Sequence, residues 1–111
     1  MPRSRDTLLL KAKMFRGFAD SSRLSVLEAL RDGPRCVSEI VKATGLSQPN
    51  ASSNLACLEE CGLVNRERRG RNIYYGMAHK QVALILEQAE TILGEAGRRI
   101  YACTRYGERR R

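Results

Sequence analysis

The chain has 111 residues, enough for one domain with a modest hydrophobic core. Its 20 Lys and Arg residues outweigh 12 Asp and Glu residues, and the net charge of +8 favours a polyanionic partner, nucleic acid before a membrane surface. No apolar run approaches the roughly 20 residues of a membrane span, and no signal-peptide pattern follows the N-terminus. We therefore expect a cytoplasmic protein with no membrane partner and with reduced cysteines.

Helical signals fill the first half of the chain. Apolar spacing predicts a helix over about 5–17 and a second one that begins at Asp20 or Ser21 and ends before Gly33-Pro34. A short third helix is expected over about 37–43. The fourth follows a glycine-containing turn, begins with Ser47 as its N-cap and Pro49 in its first turn, and ends at Gly62. Two short helices around such a turn indicate a helix-turn-helix over about 37–61.

The pattern changes to that of a β-hairpin after the fourth helix. Segments 63–68 and 72–77 are rich in β-branched and aromatic residues, and Arg69-Gly70-Arg71 supplies the turn between them. A hairpin directly after a helix-turn-helix is typical of the wing of a winged helix, here about 63–77. The predicted fold class is therefore mainly α with one β-hairpin, a winged helix-turn-helix in a single domain over 1–111.

A long last helix is predicted over about 79–101, followed by a basic tail at 104–111 that we expect to fray. Its apolar stripe is wider than one small core needs. The first helix, 5–17, also carries surplus apolar residues, so these two helices are the expected interface of a homodimer. The alternative is that both helices simply close the monomer.

The fourth helix and the wing carry the side chains expected to contact double-stranded operator DNA. Short polar side chains near the start of a recognition helix suit base edges in the major groove, whereas wing arginines suit phosphates or the minor groove. An ordinary polar helix surface and a solvated turn are the alternative reading. The expected contacts are Ser47, Gln48, Asn50, Ala51, Ser53 and Asn54 on the helix and Arg66, Arg68, Arg69 and Arg71 in the wing.

The cysteines indicate a second kind of site. Cys57 and Cys61 are four residues apart, so both sulfurs lie on one side of the fourth helix, too far apart for a good disulfide. Two thiolates suit a soft metal ion but need a third ligand, for which Cys36 and Cys103 are the candidates. Packing and redox switching are the other readings of these thiols.

Catalysis finds no support in the sequence. His79 is the only histidine, and we interpret it as polar surface. No nucleophile–base pairing and no glycine-rich phosphate loop is visible, so we expect that the protein is not an enzyme.

Four segments together resemble the ArsR/SmtB repressors, and the resemblance covers about residues 8–95. They are the run Phe18–Leu24, the helix Leu46–Leu58, Gly62-Leu63-Val64 and the wing segment Arg69–Tyr75. The resemblance implies a winged-helix homodimer that binds operator DNA and leaves it when a metal ion or another inducer binds.

The cysteine pattern narrows the comparison within that family. Members with an arsenic- or cadmium-type site on the third helix carry Cys-Val-Cys, whereas this chain has Cys36-Val37-Ser38. Members with a zinc site on the last helix carry Asp-x-His and His-x-x-Glu, of which this chain keeps only Glu95. Both of those sites are therefore incomplete here.

The remaining cysteines are similar to those of the cadmium- and lead-sensing members. In those proteins two cysteines of the recognition helix are joined by one from the C-terminal region of the partner subunit. The resemblance implies Cys57, Cys61 and Cys103 as ligands, Cys36 as a possible fourth, and cadmium or lead as effector, with zinc possible and no organic cofactor. An arsenite or thiol-redox sensing repressor that uses the same cysteines is the alternative.

Overall fold

A computed structural model describes residues 4–103, which form five α-helices and three β-strands. The predicted tail, 104–111, lies outside the described residues. The mainly helical, winged helix-turn-helix fold predicted from the sequence is confirmed. The elements in chain order are α1 (Arg5–Phe18), α2 (Ser21–Ala29), β1 (Arg35–Cys36), α3 (Val37–Thr44), α4 (Gln48–Glu60), β2 (Val64–Arg69), β3 (Asn72–Met77) and α5 (Lys80–Ala102).

The helix-turn-helix is formed by α3 and α4, and local chemistry fixes its boundaries. Gly45 ends α3 with a φ of +77°, a conformation that residues with a Cβ rarely adopt. The Ser47 hydroxyl oxygen then accepts a hydrogen bond from the Asn50 N–H at 3.2 Å, which caps α4. The Gly45 and Ser47 signals could both be recognised in the sequence, because each depends on residues only a few positions apart.

The hydrophobic core lies between α2, α3, α4 and the start of α5. Four side chains at its centre are at most 1% exposed: Leu27 of α2, Ile40 of α3, and Leu55 and Leu58 of α4. Val82 and Leu86 close the core from α5. The apolar stripe of α5 is thus buried only over its first two turns.

Beyond those turns, α5 leaves apolar side chains uncovered, and α1 does the same. Ile92 and Leu93 of α5 are more than half exposed, although they continue the same stripe as Val82 and Leu86. On α1, Leu8 and Leu9 are at least 60% exposed. Apolar surface of this extent on two helices of one small domain is typical of an interaction surface.

A short strand, β1, was not predicted. Arg35 and Cys36 pair with Tyr75 and Tyr74 of β3, which gives an antiparallel sheet in the order β1-β3-β2. Two residues carry no alternation of polar and apolar side chains, so the sequence pattern could not reveal this strand. Cys36 therefore stands both in the sheet and at the N-cap of α3, where its N–H donates to the Glu39 carboxylate at 3.1 Å.

A charged contact ties α5 to the end of α2. The Arg31 guanidinium donates to the carboxylates of Glu28, on α2, and of Glu90, on α5. These hydrogen bonds raise the pKa of Arg31 above its ordinary value, Glu90 contributing most. The contact between Arg31 and Glu90 holds the middle of α5 beside the core, at the point where the helix begins to extend past it.

None of the helices described between residues 4 and 103 is long and apolar enough to span a membrane.

The turn at Gly62 provides a first testable prediction. Gly62 has a φ of +79°, and the N–H of Leu63 donates to the Leu58 carbonyl at 2.9 Å across it. We expect Gly62→Ala to lower the free energy of unfolding by about 1–2 kcal/mol, because a Cβ is strained in this conformation. Urea denaturation measures the change.

The matched control is Gly94→Ala, in the exposed interior of α5. A Cβ at Gly94 meets nothing within 4 Å, and its φ is not positive. Alanine should stabilise that helix by about 0.5–1 kcal/mol. Equal effects of the two substitutions would contradict the role given to the Gly62 turn.

Candidate functional site

One side of α4 belongs to the core and the other to solvent. Ala51, Leu55 and Leu58 form the inner side, each at most 1% exposed, whereas Gln48 and Ser53 are exposed. The expectation that Ala51 contacts DNA is therefore wrong. The phase of the helix turns its methyl group into the core, where it cannot reach a base edge.

The polar start of α4 is ordered by its own hydrogen bonds. The Asn54 amide NH2 donates to both the side-chain oxygen of Asn50, at 2.7 Å, and its carbonyl, at 3.0 Å. Ser47, as described, caps the helix. These side chains are held in defined positions in the first turns of α4, where Gln48 and Ser53 are also exposed.

The wing does not present its arginines as one cluster. The β2–β3 register pairs Arg66 with Tyr75 and Arg68 with Ile73, so these two arginines share one face of the hairpin. Arg69 is on the other face, where its guanidinium lies 4.9 Å from the centroid of the Tyr74 ring. The fourth, Arg71, stands in the two-residue turn after Gly70.

An ion pair connects the wing to α4. The Arg66 Nε lies 3.2 Å from a carboxylate oxygen of Glu59, near the end of α4. On the other face of the hairpin, Arg69 approaches Glu67 to 3.4 Å. Arg68 and Arg71 are exposed. Of the four predicted phosphate contacts, two thus already neighbour a carboxylate of this chain.

The two thiols of α4 continue the side of the helix that carries the asparagines. Spacings of four, three and four residues place four side chains in one row: Asn50, Asn54, Cys57 and Cys61. Cys57 is half-buried and Cys61 is exposed. Any ion bound to these sulfurs would therefore lie in line with the polar start of α4.

A cation that the sequence did not indicate stands beside the thiols. Nη1 of Arg23, on α2, lies 3.6 Å from the Cys57 sulfur and donates to it. The pKa of Cys61 is raised by loss of solvent around its sulfur and then by the neighbouring Cys57 thiol, while the Arg23 charge opposes this rise. The sequence placed Arg23 only in the first turn of a helix, 34 positions from Cys57.

The other two cysteines are elsewhere in the fold. Cys103 follows the last turn of α5 and is half-buried, and the Cys36 sulfur lies 3.3 Å from the Ser38 hydroxyl at the start of α3. Over residues 4–103, no three His, Cys, Asp or Glu side chains converge into a group that could hold a metal ion. A single chain thus brings Cys57 and Cys61 together but does not add Cys103 or Cys36 to them.

Comparison with known proteins identifies relatives over most of the chain. Residues 20–66 match the family model described as bacterial regulatory protein, arsR family. A probable mercury resistance operon repressor of Streptomyces lividans is 34% identical over 94 residues, which are 85% of this chain and 75% of that protein.

Two further matches are a second curated regulator and a solved structure. The regulator CmtR of Mycobacterium tuberculosis is 36% identical over 68% of this chain and 64% of its own length, so it is one of several comparable relatives. A homodimeric winged helix-turn-helix DNA-binding domain of Mycobacterium bovis, described as a possible ArsR-family transcriptional regulator, superposes with a TM-score of 0.71. It is 33% identical, over 85% of this chain and 89% of that one.

Proposed function

Because this chain belongs to the ArsR family of bacterial regulatory proteins, we propose that it is a homodimeric repressor whose DNA binding is released by a soft metal ion. The family consists of transcriptional regulators, and the expectation that the chain is not an enzyme is confirmed. The observation that carries the proposal is the position of Cys57 and Cys61. Cys57 lies in the last turn of α4 and Cys61 caps its C-terminal end, so both thiols are in one row with Asn50 and Asn54 at its start.

Operator binding is supported by the exposed surfaces of α4 and the wing. Gln48, Ser53 and the Asn50–Asn54 pair present donors and acceptors on the outer side of α4, as a helix in the major groove requires. Arg68 and Arg71 are exposed on the wing, where they can neutralise phosphates. A net charge of +8 also favours a polyanionic partner such as DNA.

Dimerisation is supported by the uncovered apolar residues of α1 and α5. One winged helix reads few base pairs, so two copies on a two-fold operator supply the missing specificity. The Mycobacterium bovis relative is a homodimer, and its DNA-binding domain superposes on this chain. We place Leu8 and Leu9 of α1 and Ile92 and Leu93 of α5 in the interface.

The effector site consists of Cys57 and Cys61 with Cys103 as third ligand, donated by the partner subunit. Three thiolates select soft ions, so cadmium or lead is the proposed effector, with zinc as a weaker candidate. The separation of Cys103 from the other two within one chain supports its donation across the dimer. Cys36, which neighbours Ser38 at the start of α3, is not included.

One titration tests this function. The reduced full-length protein is titrated with cadmium, lead, zinc, arsenite or mercuric ion, the last because one relative is described as a probable mercury resistance operon repressor. Thiolate-to-metal absorption and operator binding by fluorescence anisotropy are followed together. We expect cadmium or lead to weaken operator binding about 5- to 150-fold, the range of typical allosteric couplings.

The alternatives give different results in the same titration. Release by arsenite alone, or by peroxide without any metal response, would assign the thiols to arsenite or redox sensing. Metal absorption without loss of operator binding would contradict metal-driven release.

The wing offers a separate prediction about DNA. We expect Arg68→Ala to weaken operator and unrelated duplex equally, by about 1 kcal/mol or roughly fivefold, because a phosphate contact carries no sequence information. The slope of log affinity against log salt should fall by about 1. Arg98→Ala, which removes the same charge from an exposed position of α5, is the control and should change neither quantity.

A further inference from the structure

Arg23 makes three contacts that join three parts of the fold. Its Nε donates to the carbonyl oxygen of Gly17, in the last turn of α1, at 2.8 Å. Its Nη1 donates to the Cys57 sulfur on α4 at 3.6 Å, and its Nη2 lies 4.0 Å from the Asp20 carboxylate. The Arg23 side chain is 22% exposed, and its contacts with Gly17 and Cys57 are partly buried.

Two of the three partners are local and hold the guanidinium in place. The Asp20 carboxylate also accepts the backbone N–H of Arg23 at 3.0 Å, which fixes the first turn of α2. Gly17 is six positions away, and its carbonyl belongs to the end of a helix, where carbonyls lack helical partners. Cys57 is distant in sequence, and the packing of α4 on α2 brings its sulfur to the Arg23 guanidinium.

We propose that Arg23 is the positioning residue that connects the Cys57 thiol to the end of α1, so that metal capture is transmitted from the recognition helix to the dimer-forming helix. The inference rests on the proposed function. It assigns the transmission of the signal to one side chain outside the ligand set.

The geometry of a guanidinium explains why this side chain can act as a connector. Its donors lie in one rigid plane, so a displacement at Nη1 is felt at Nε, and hence at the Gly17 carbonyl. Coordination engages the Cys57 sulfur and draws it towards Cys61, which must change its contact with Arg23. Partners just outside a ligand set commonly orient the ligands in this way.

The end of α1 is a suitable receiver of this displacement. Gly17 lies one residue before Phe18, which is buried, and two residues after Phe15, which is half exposed. A shift of the Gly17 carbonyl therefore moves α1, which is packed in the core at its C-terminal end and belongs to the proposed dimer interface along the rest of its length. The same shift changes the spacing of the two copies of α4 across the dimer.

Arg23→Lys tests the inference, because lysine keeps the positive charge but cannot donate in two fixed directions. Operator affinity is measured with and without cadmium on the reduced full-length dimer, and cadmium stoichiometry is measured by thiolate absorption. We expect the ratio of the two operator affinities to fall at least about fivefold towards 1, out of a typical range of 5 to 150, with cadmium stoichiometry unchanged. Arg16→Lys, the same change next to Gly17 on an exposed position of α1, should leave the ratio at the wild-type value.

Each other outcome decides against the inference. A variant that responds to cadmium like the wild type overturns it, even if thermal stability falls, because a purely structural arginine would lower stability without changing the ratio. Arg23→Gln, which keeps amide donors without the fork, gives the same comparison if the lysine variant does not fold. If the wild type itself shows no cadmium-driven release, the proposed function fails and the inference with it.

Discussion

Replacing Cys57 by serine is expected to abolish cadmium-driven release while the metal-free protein still binds its operator. Serine is nearly isosteric and its hydroxyl can still accept the Arg23 hydrogen bond, so operator affinity should stay within about twofold to threefold, as for most substitutions outside a core. A hydroxyl is a poor ligand for a soft ion. Because loss of a partner outside the ligand set already costs about 10- to 100-fold in metal affinity, loss of a ligand should cost at least 100-fold. The wild type and the Cys57→Ser variant are titrated with cadmium. Absorption then measures the loss of metal affinity, and anisotropy measures operator binding.

Cys36→Ser is the matched control for that experiment. It makes the same chemical change at a half-buried cysteine beside Ser38, which forms no ligand group with Cys57 and Cys61, and should leave cadmium release intact. Cys103→Ser should resemble Cys57→Ser only if the third ligand comes from the C-terminal end of α5. Cadmium release that persists in the variant lacking Cys57, Cys61 and Cys103 would refute the thiol site.

Replacing Leu93 by lysine is expected to separate the dimer. In an apolar interface the ammonium group would be buried without a partner, a cost of at least about 2 kcal/mol, or roughly 30-fold in dimer affinity. Operator binding should fall by about 100-fold or more. In a dimer, binding of the first recognition helix holds the second one close to its half-site, and this advantage is lost when the subunits separate. Light scattering after size exclusion gives the oligomeric state, and anisotropy gives the operator affinity.

Thr91→Lys serves as the control, because it introduces the same side chain on the opposite side of α5. Thr91 is exposed and lies one turn from both Glu87 and Glu95, so a lysine there stays in water near two carboxylates. It should remain dimeric and bind operator like the wild type. A monomeric Thr91→Lys variant, or a dimeric Leu93→Lys variant, would contradict the proposed interface.

The sequence was most informative where structure depends on near neighbours. Ser47, Gly45 and Gly62 act through contacts within a few residues, so the helix-turn-helix and its limits were predictable from them. The two-residue strand β1 depends on pairing with Tyr74 and Tyr75, some 40 residues later, and left no local pattern. Local strand propensity cannot reveal a pairing between residues so far apart in the sequence.

The candidate site was predictable in residue types but not in arrangement. Ala51 was expected on the DNA surface because it is small, yet the phase set by Leu55 and Leu58 turns it inwards. Arg23 was missed because only the packing of α2 on α4 brings it to Cys57. The proposed third ligand, Cys103, would depend on a contact between subunits, for which the sequence of one chain offers only the resemblance to a family.

The tight turn after α4 has a mechanical consequence for how DNA would be released. Leu63 is hydrogen-bonded back to Leu58 across Gly62, and Arg66 is paired with Glu59, so the hairpin is clamped to the end of the helix that bears Cys61. These two contacts would make the helix and the hairpin rotate together, about a point next to the sulfurs. Six residues of strand extend about 20 Å, so a rotation of about 10° at the pivot carries the wing tip roughly 3.5 Å, further than a hydrogen bond to a phosphate can stretch. A small movement at the thiols would thereby detach the groove-reading helix and the phosphate-binding arm together, making release a single concerted step.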